Sequence, residues 1–73
     1  MKVADNGKFT IYVYKEIGQP HHLPHCHIRW ADGKAVVSLP QLEILAGASL
    51  SSSARKFIRD NLDELCSAWD ELN

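Results

Sequence analysis

An Asp-Gly pair at residues 32–33, set between two runs that alternate apolar and polar side chains, constrains this chain more than any other feature. His25 to Ala31 and Lys34 to Leu39 read as strands, and Asp-Gly joins such strands through a two-residue type I′ turn. A reversal centred there sets Ala31 opposite Lys34, Trp30 opposite Ala35, Arg29 opposite Val36, Ile28 opposite Val37, His27 opposite Ser38 and Cys26 opposite Leu39. Directly opposed residues share one side of a sheet. One side therefore carries Cys26, Ile28, Trp30, Ala35, Val37 and Leu39, an apolar set that must face a core. The other carries His25, His27, Arg29, Val36 and Ser38, and packing alone has no need of histidine there.

The remaining elements build on this hairpin. Met1 to Lys8 reads as a frayed or turn-forming start, with Asn6-Gly7 as turn chemistry. Phe9 to Lys15 is dense in β-branched and aromatic residues and alternates, which predicts a strand with Phe9, Ile11 and Val13 on one face and Thr10, Tyr12 and Tyr14 on the other. Glu16 to Pro24 is a loop, broken up by Gly18, Pro20 and Pro24. Beyond Pro40, Leu42-Glu43-Ile44 alternates again and suggests a short fourth strand. Ser51 to Ser53 offer N-cap hydroxyls, and Leu50 is placed to act as a hydrophobic staple. Ala54, Phe57, Ile58, Leu62, Leu65, Cys66, Trp69 and Leu72 then recur at steps of three and four, which predicts one amphipathic helix roughly 30 Å long. Such a helix is stable only when its apolar stripe packs on the sheet.

The expected fold is α+β: a three- to four-stranded antiparallel β-meander packed against one long C-terminal helix, as a single domain over residues 1–73. A net charge of −1 creates no overall field to draw in nucleic acid, so any such binding needs a local patch. Two cysteines, Cys26 and Cys66, are too few for a disulfide scaffold, and both fall on predicted core faces as free thiols. No segment reaches the roughly 20 apolar residues of a membrane span, and Met1 to Gly7 lacks a signal-peptide run, so the expected location is the cytoplasm.

All four histidines, His21, His22, His25 and His27, fall within seven positions. His25 and His27 project from the same side of a strand, about 7 Å apart along the chain. Three readings are open. In one, His25 and His27 hold a metal with His22 or Glu16 as third ligand. Zinc is the ion such a set takes, and an open fourth position allows hydrolysis; the default is no cofactor. In another, His25, His27 and Arg29 perform metal-free acid–base chemistry beside Tyr12 and Tyr14, which suits phosphodiester cleavage or RNA contact. In the third, the histidines bond Ser38 and the loop backbone and form a polar recognition face. At the helix start, Arg55 and Lys56 with free backbone N–H groups suggest an anion site, against the simpler reading of a capped helix with a solvated face. Arg55, Lys56 and Arg59 near the start, with Asp60, Asp63, Glu64, Asp70 and Glu71 later, run against the dipole of one continuous helix.

Leu23-Pro24-His25-Cys26-His27-Ile28, Ala35-Val36-Val37-Ser38-Leu39, Leu42-Glu43-Ile44-Leu45 and Ala68-Trp69-Asp70-Glu71 together resemble the domain of unknown function 4160 family. Its members carry a Pro-Pro-His-(Ile/Val)-His-Val strand, a short turn, an apolar strand and a closing helix. Leu23 stands here for the usual first proline, Cys26 for the β-branched residue, and the acidic residue often found before the prolines is absent. The resemblance implies a small bacterial protein of a toxin–antitoxin-like pair that works through contact with a small partner protein or a second copy. An RNA-directed or metal-dependent hydrolase using His25 and His27 is the alternative.

Overall fold

The computed structural model describes residues 1–16 and 23–73. His22, the first-named third metal ligand, lies outside the described residues, as does most of the loop before Pro24. Five strands, β1 (Lys2–Asp5), β2 (Thr10–Tyr12), β3 (His25–Trp30), β4 (Gly33–Ser38) and β5 (Ile44–Gly47), form one antiparallel sheet in sequence order. Two helices, α1 (Ser52–Asp60) and α2 (Leu62–Leu72), follow. Ala54, Ile58, Leu65, Ala68 and Trp69 of the helices share one buried cluster with Phe9, Ile11, Val13, Cys26, Ile28, Ala35, Val37 and Leu39 of the sheet. The apolar faces predicted for these strands are therefore the core. The alternate residues, His25, His27, Arg29, Tyr12 and Val36 among them, lie on the other side of the pleat. No helix among the described residues is long and apolar enough to cross a membrane.

The α+β class is as expected, but three to four strands and one long helix is not the arrangement. The first strand was hidden in Lys-Val-Ala-Asp, which is short and has one β-branched residue. It is closed onto β2 by the Asn6-Gly7 reversal: the Asn6 side chain accepts from the N–H groups of Lys8 and Phe9 at 3.0 and 2.7 Å. The expected strand at Leu42–Ile44 begins at Ile44 instead. Leu42 takes a left-handed φ of 62° in the preceding turn, where its side chain is buried.

The central hairpin turns on Ala31-Asp32, not on Asp32-Gly33. Trp30 pairs with Gly33, Ile28 with Ala35, His27 with Val36 and Cys26 with Val37, two positions from the expected register. A shift of two preserves the face of every side chain, so the core face is the expected one. Gly33 has no positive φ. Its role is steric: a Cβ there would sit 2.6 Å from Nε1 of the Trp30 indole, which covers it. Tryptophan packing, not turn chemistry, set the register.

The helix breaks at Asn61, whose φ of −111° and ψ of 15° end α1. Its side-chain amide donates to Phe57 O at 2.9 Å, the local competition that makes asparagine a poor interior residue. The break relieves part of the charge pattern, while Arg55 stays in the first turn of α1, Asp60 in its last, and Asp70 and Glu71 in the last turn of α2. Arg59 now lies in the last turn of α1, and Asp63 and Glu64 lie in the first turn of α2, each on the favourable end of its own dipole.

Candidate metal centre

His25 and His27 lie on β3 outside the core, with side chains 16% and 31% exposed. Their rings are 5.4 Å apart. Glu16 meets them from the segment that follows β2. Its Oε1 is 2.9 Å from His25 Nε2 and 3.6 Å from His27 Nε2. The three ligand atoms lie within 4.8 Å of one another. Zinc ligands bonded at about 2.0–2.1 Å sit about 3.3 Å apart at the tetrahedral angle, a value that the two Glu16–histidine separations bracket, while the wider 4.8 Å limit leaves the set to draw together on an ion.

The hydrogen bonds sharpen the case. His25 Nδ1 is 2.8 Å from Leu23 O, which can only accept, so Nδ1 carries a proton. In a neutral ring Nε2 then presents its lone pair to the Glu16 carboxylate. Two lone pairs 2.9 Å apart repel unless a cation lies between them, whether a proton or a metal. Ring N–H to backbone carbonyl is also the usual outer support of a metal-bound histidine. His27 Nε2 is buried and has no hydrogen-bond partner, because 3.6 Å is an ion-pair distance but too long for a hydrogen bond. A buried imidazole nitrogen that faces a carboxylate and has no hydrogen-bond partner is suited to a cation.

The electrostatics favour the ligating forms. The His25 hydrogen bond, joined by the charges of both histidines, holds Glu16 below its usual range against a smaller opposing effect of burial. Burial holds His27 below its usual range, aided by the charges of His25 and Arg29 and opposed by Glu16. A carboxylate and a neutral imidazole are the states that bind metal.

Helix α2 positions the cluster. The His25 ring leans on Trp69 with centroids 4.8 Å apart. One turn later, Asn73 Oδ1 accepts from the Glu16 backbone N–H at 2.9 Å, while its amide donates to Tyr14 O and to Trp69 O, each at 3.2 Å. No local signal in the sequence marks Asn73 or Trp69 for this work, because the contact to Glu16 spans 57 positions.

The family model described as Domain of unknown function (DUF4160) matches residues 9–70, a span that takes in β2 to α2 and the whole cluster. The chain belongs to the DUF4160 family. No curated protein and no solved structure matches it. In this DUF4160 chain the remaining predicted site residues divide. Tyr12, Tyr14 and Arg29 gather around His27: Tyr12 pairs with it across the strands, the Tyr14 ring stands 4.8 Å from it edge-on, and Arg29 lies over Tyr12 at 5.7 Å. Ser38 does not bond the histidines. It is buried, and its hydroxyl accepts from Glu43 N at 2.9 Å inside the β4–β5 turn. Arg55 donates to Leu42 O at 2.7 Å, and Lys56 pairs with the Asp60 carboxylate at 2.8 Å, so both have partners within the chain. The helix start is capped by Ser51, which accepts from Ala54 N.

Proposed function

We propose that this chain is a metal-dependent hydrolase that binds one divalent ion, zinc by chemistry, through Glu16, His25 and His27. One observation carries the reading: the Nε2 atoms of both histidines converge on one carboxylate oxygen, the first at 2.9 Å and the second at 3.6 Å, buried and without a hydrogen-bond partner. Two imidazoles and a carboxylate with a fourth position open is a ligand set of catalytic zinc. When bound, such an ion polarises an ester oxygen and brings a water toward deprotonation near pH 7. The chain's own residues supply the rest. Leu23 O fixes the His25 tautomer, Trp69 limits water on one side of that ring, and Arg29 offers a guanidinium to an anionic substrate.

The test is metal content of the full chain by mass spectrometry, followed by zinc titration of chelator-treated protein. One equivalent is expected, with affinity lost by at least tenfold in Glu16→Gln and His27→Ala. Absence of a stoichiometric ion in the wild type, after loading with zinc, overturns the reading. Iron(II) bound in preference overturns the hydrolytic part, since two histidines and a carboxylate also serve oxygenases.

A second reading, contact with a small partner protein in a toxin–antitoxin-like pair, is favoured by a separate feature. Strand β5 is an edge whose residues are all exposed, including Ile44 at 40% and Leu45 at 46%, and an open edge invites another strand. Expression in a bacterium with and without the neighbouring gene tests it: arrest that Ile44→Lys relieves supports contact, and arrest that needs His25 and His27 supports catalysis.

A further inference from the structure

The sheet has helices on one side only. On the other, Tyr12 and Tyr14 stack with ring planes 4° apart and centroids 5.9 Å apart, directly beside His27. Two grooves adjoin this pair. One, of about 290 Å³, runs from Tyr14 and His27 past Arg29 and Lys34 to Val36 and Ala46. The other, wider at about 620 Å³, runs from Tyr12 and Arg29 to Lys8, with Asp32 the one acid on its wall. Arg29 lines both. Neither tyrosine belongs to the buried core: Tyr12 ends β2 half-buried, and Tyr14 follows it, exposed.

Charge points the same way. Residues 1–50 carry five Lys and Arg against four Asp and Glu, whereas residues 51–73 carry three against five. The net charge of −1 therefore hides a division, with the acidic excess on the helical side. Glu16 is one of the four acids on the sheet side, and a bound cation would cancel it.

Resting on the metal reading above, we propose that the metal centre's substrate is a single-stranded polynucleotide, its phosphates held by Arg29, Lys34 and Lys8 and its bases stacked on the outer faces of the Tyr12–Tyr14 pair, the Tyr12 face being freed as Arg29, now 5.7 Å over that ring, turns to a phosphate. Aromatic platforms combined with cations along a groove recognise single strands because every base has a stacking face, whereas a duplex hides its faces. The groove beside His27 joins small and apolar groups, Val36 and Ala46 among them, to the cations Arg29 and Lys34, so a base or sugar and its phosphate both find partners there. Arg29 stands between the two grooves, where it can bind a phosphate passing from one to the other. The reaction is hydrolysis: the oxygen of one water bonds to phosphorus, the bond from phosphorus to one sugar oxygen breaks, and a proton from the water goes to that departing oxygen. No oxidant or co-reactant is required.

Binding and cleavage are measured separately. In chelator, fluorescence anisotropy of the full chain with labelled uridine and thymidine 12-mers is compared with a duplex of the same length. Expected is binding to one or both single strands, at least tenfold tighter than to the duplex. Tyr12→Ala should weaken it about tenfold, while Tyr12→Phe keeps it. Arg29→Ala should flatten the slope of log affinity against log salt by about 0.7, the share of one phosphate on a single strand, and Arg29→Lys should restore it. Preference for uridine over thymidine identifies RNA, and the reverse DNA; either supports the proposal. No binding of both strands, equal binding of the duplex, or indifference to both substitutions overturns it. With zinc restored, wild type should cut the bound strand and Glu16→Gln should bind but not cut. Strand binding without any zinc uptake sinks the metal reading and leaves the nucleic-acid face standing; zinc uptake without strand binding does the reverse.

Discussion

His27 shows how much one atom decides. Its ring is partly exposed, yet Nε2 is buried and unpartnered, so the metal-free chain carries a desolvated nitrogen that favours the neutral form. His27 and Glu16 both titrate below their unfolded values, so the unfolded chain binds more protons on acidification. Their contribution to stability is present above the unfolded values, near 6.5 for His27 and 4.5 for Glu16, and is lost as pH falls through the lower folded ones. Thermal midpoints of chelator-treated protein should therefore drop between pH 6.5 and 4, and His27→Gln should remove the upper part of that drop; an unchanged profile in the variant refutes the assignment. Cys26 gives a second prediction. Burial, with a smaller effect of Cys66, pushes its thiol up to about 12, so a thiol reagent at pH 8 should leave Cys26 intact until the chain unfolds. Labelling in the native state, read by mass spectrometry, would contradict its place in the core.

Among the elements, glycines separate strain from sterics. Gly7 and Gly47 both have φ near +90°, but a Cβ on Gly7 meets nothing within 4 Å, whereas one on Gly47 would lie 2.4 Å from Lys34 O and 2.9 Å from Ala35 Cα. Gly7→Ala should cost about 1–2 kcal/mol, the conformational share alone. Gly47→Ala should cost about 3 kcal/mol or more, because β5 must leave the sheet to accommodate it. Urea midpoints distinguish the two, and equal losses would mean that β5 does not pair as described. At the helix start, Ser51→Ala removes the acceptor for Ala54 N and should cost about 1 kcal/mol.

For the molecule as a whole, the site depends on how sheet and helix are joined. Asn73 ties Glu16 to α2 and also ties Tyr14 to Trp69, so it acts on the cluster from outside it. Asn73→Ala should lower zinc affinity about 10- to 100-fold, as loss of outer support does, while the zinc-free chain unfolds at a nearly unchanged midpoint. Calorimetric titration beside thermal denaturation reads both. A loss confined to stability would assign Asn73 to the fold alone.

Alternation and three-four spacing along the chain, with no partner in view, determined the α+β class, the core face of β3 and β4, the outward pair His25 and His27, and the amphipathic faces of the helices. These are short-period properties, and a pairing slip of two cannot alter them. The helix break was also written locally, in Asn61 and in Arg59, Asp63 and Glu64, whose charges suit the dipole ends on either side of it. Only the tertiary structure decided the register, because the Trp30 indole over Gly33 outweighed the preference of Asp-Gly for the turn. Only it shows Glu16 beside the two histidines among the described residues, and only it shows Ser38, Arg55 and Lys56 in other bonds. Those choices depend on which distant segments meet, and the energy that settles them is spread over packing contacts that no local pattern encodes.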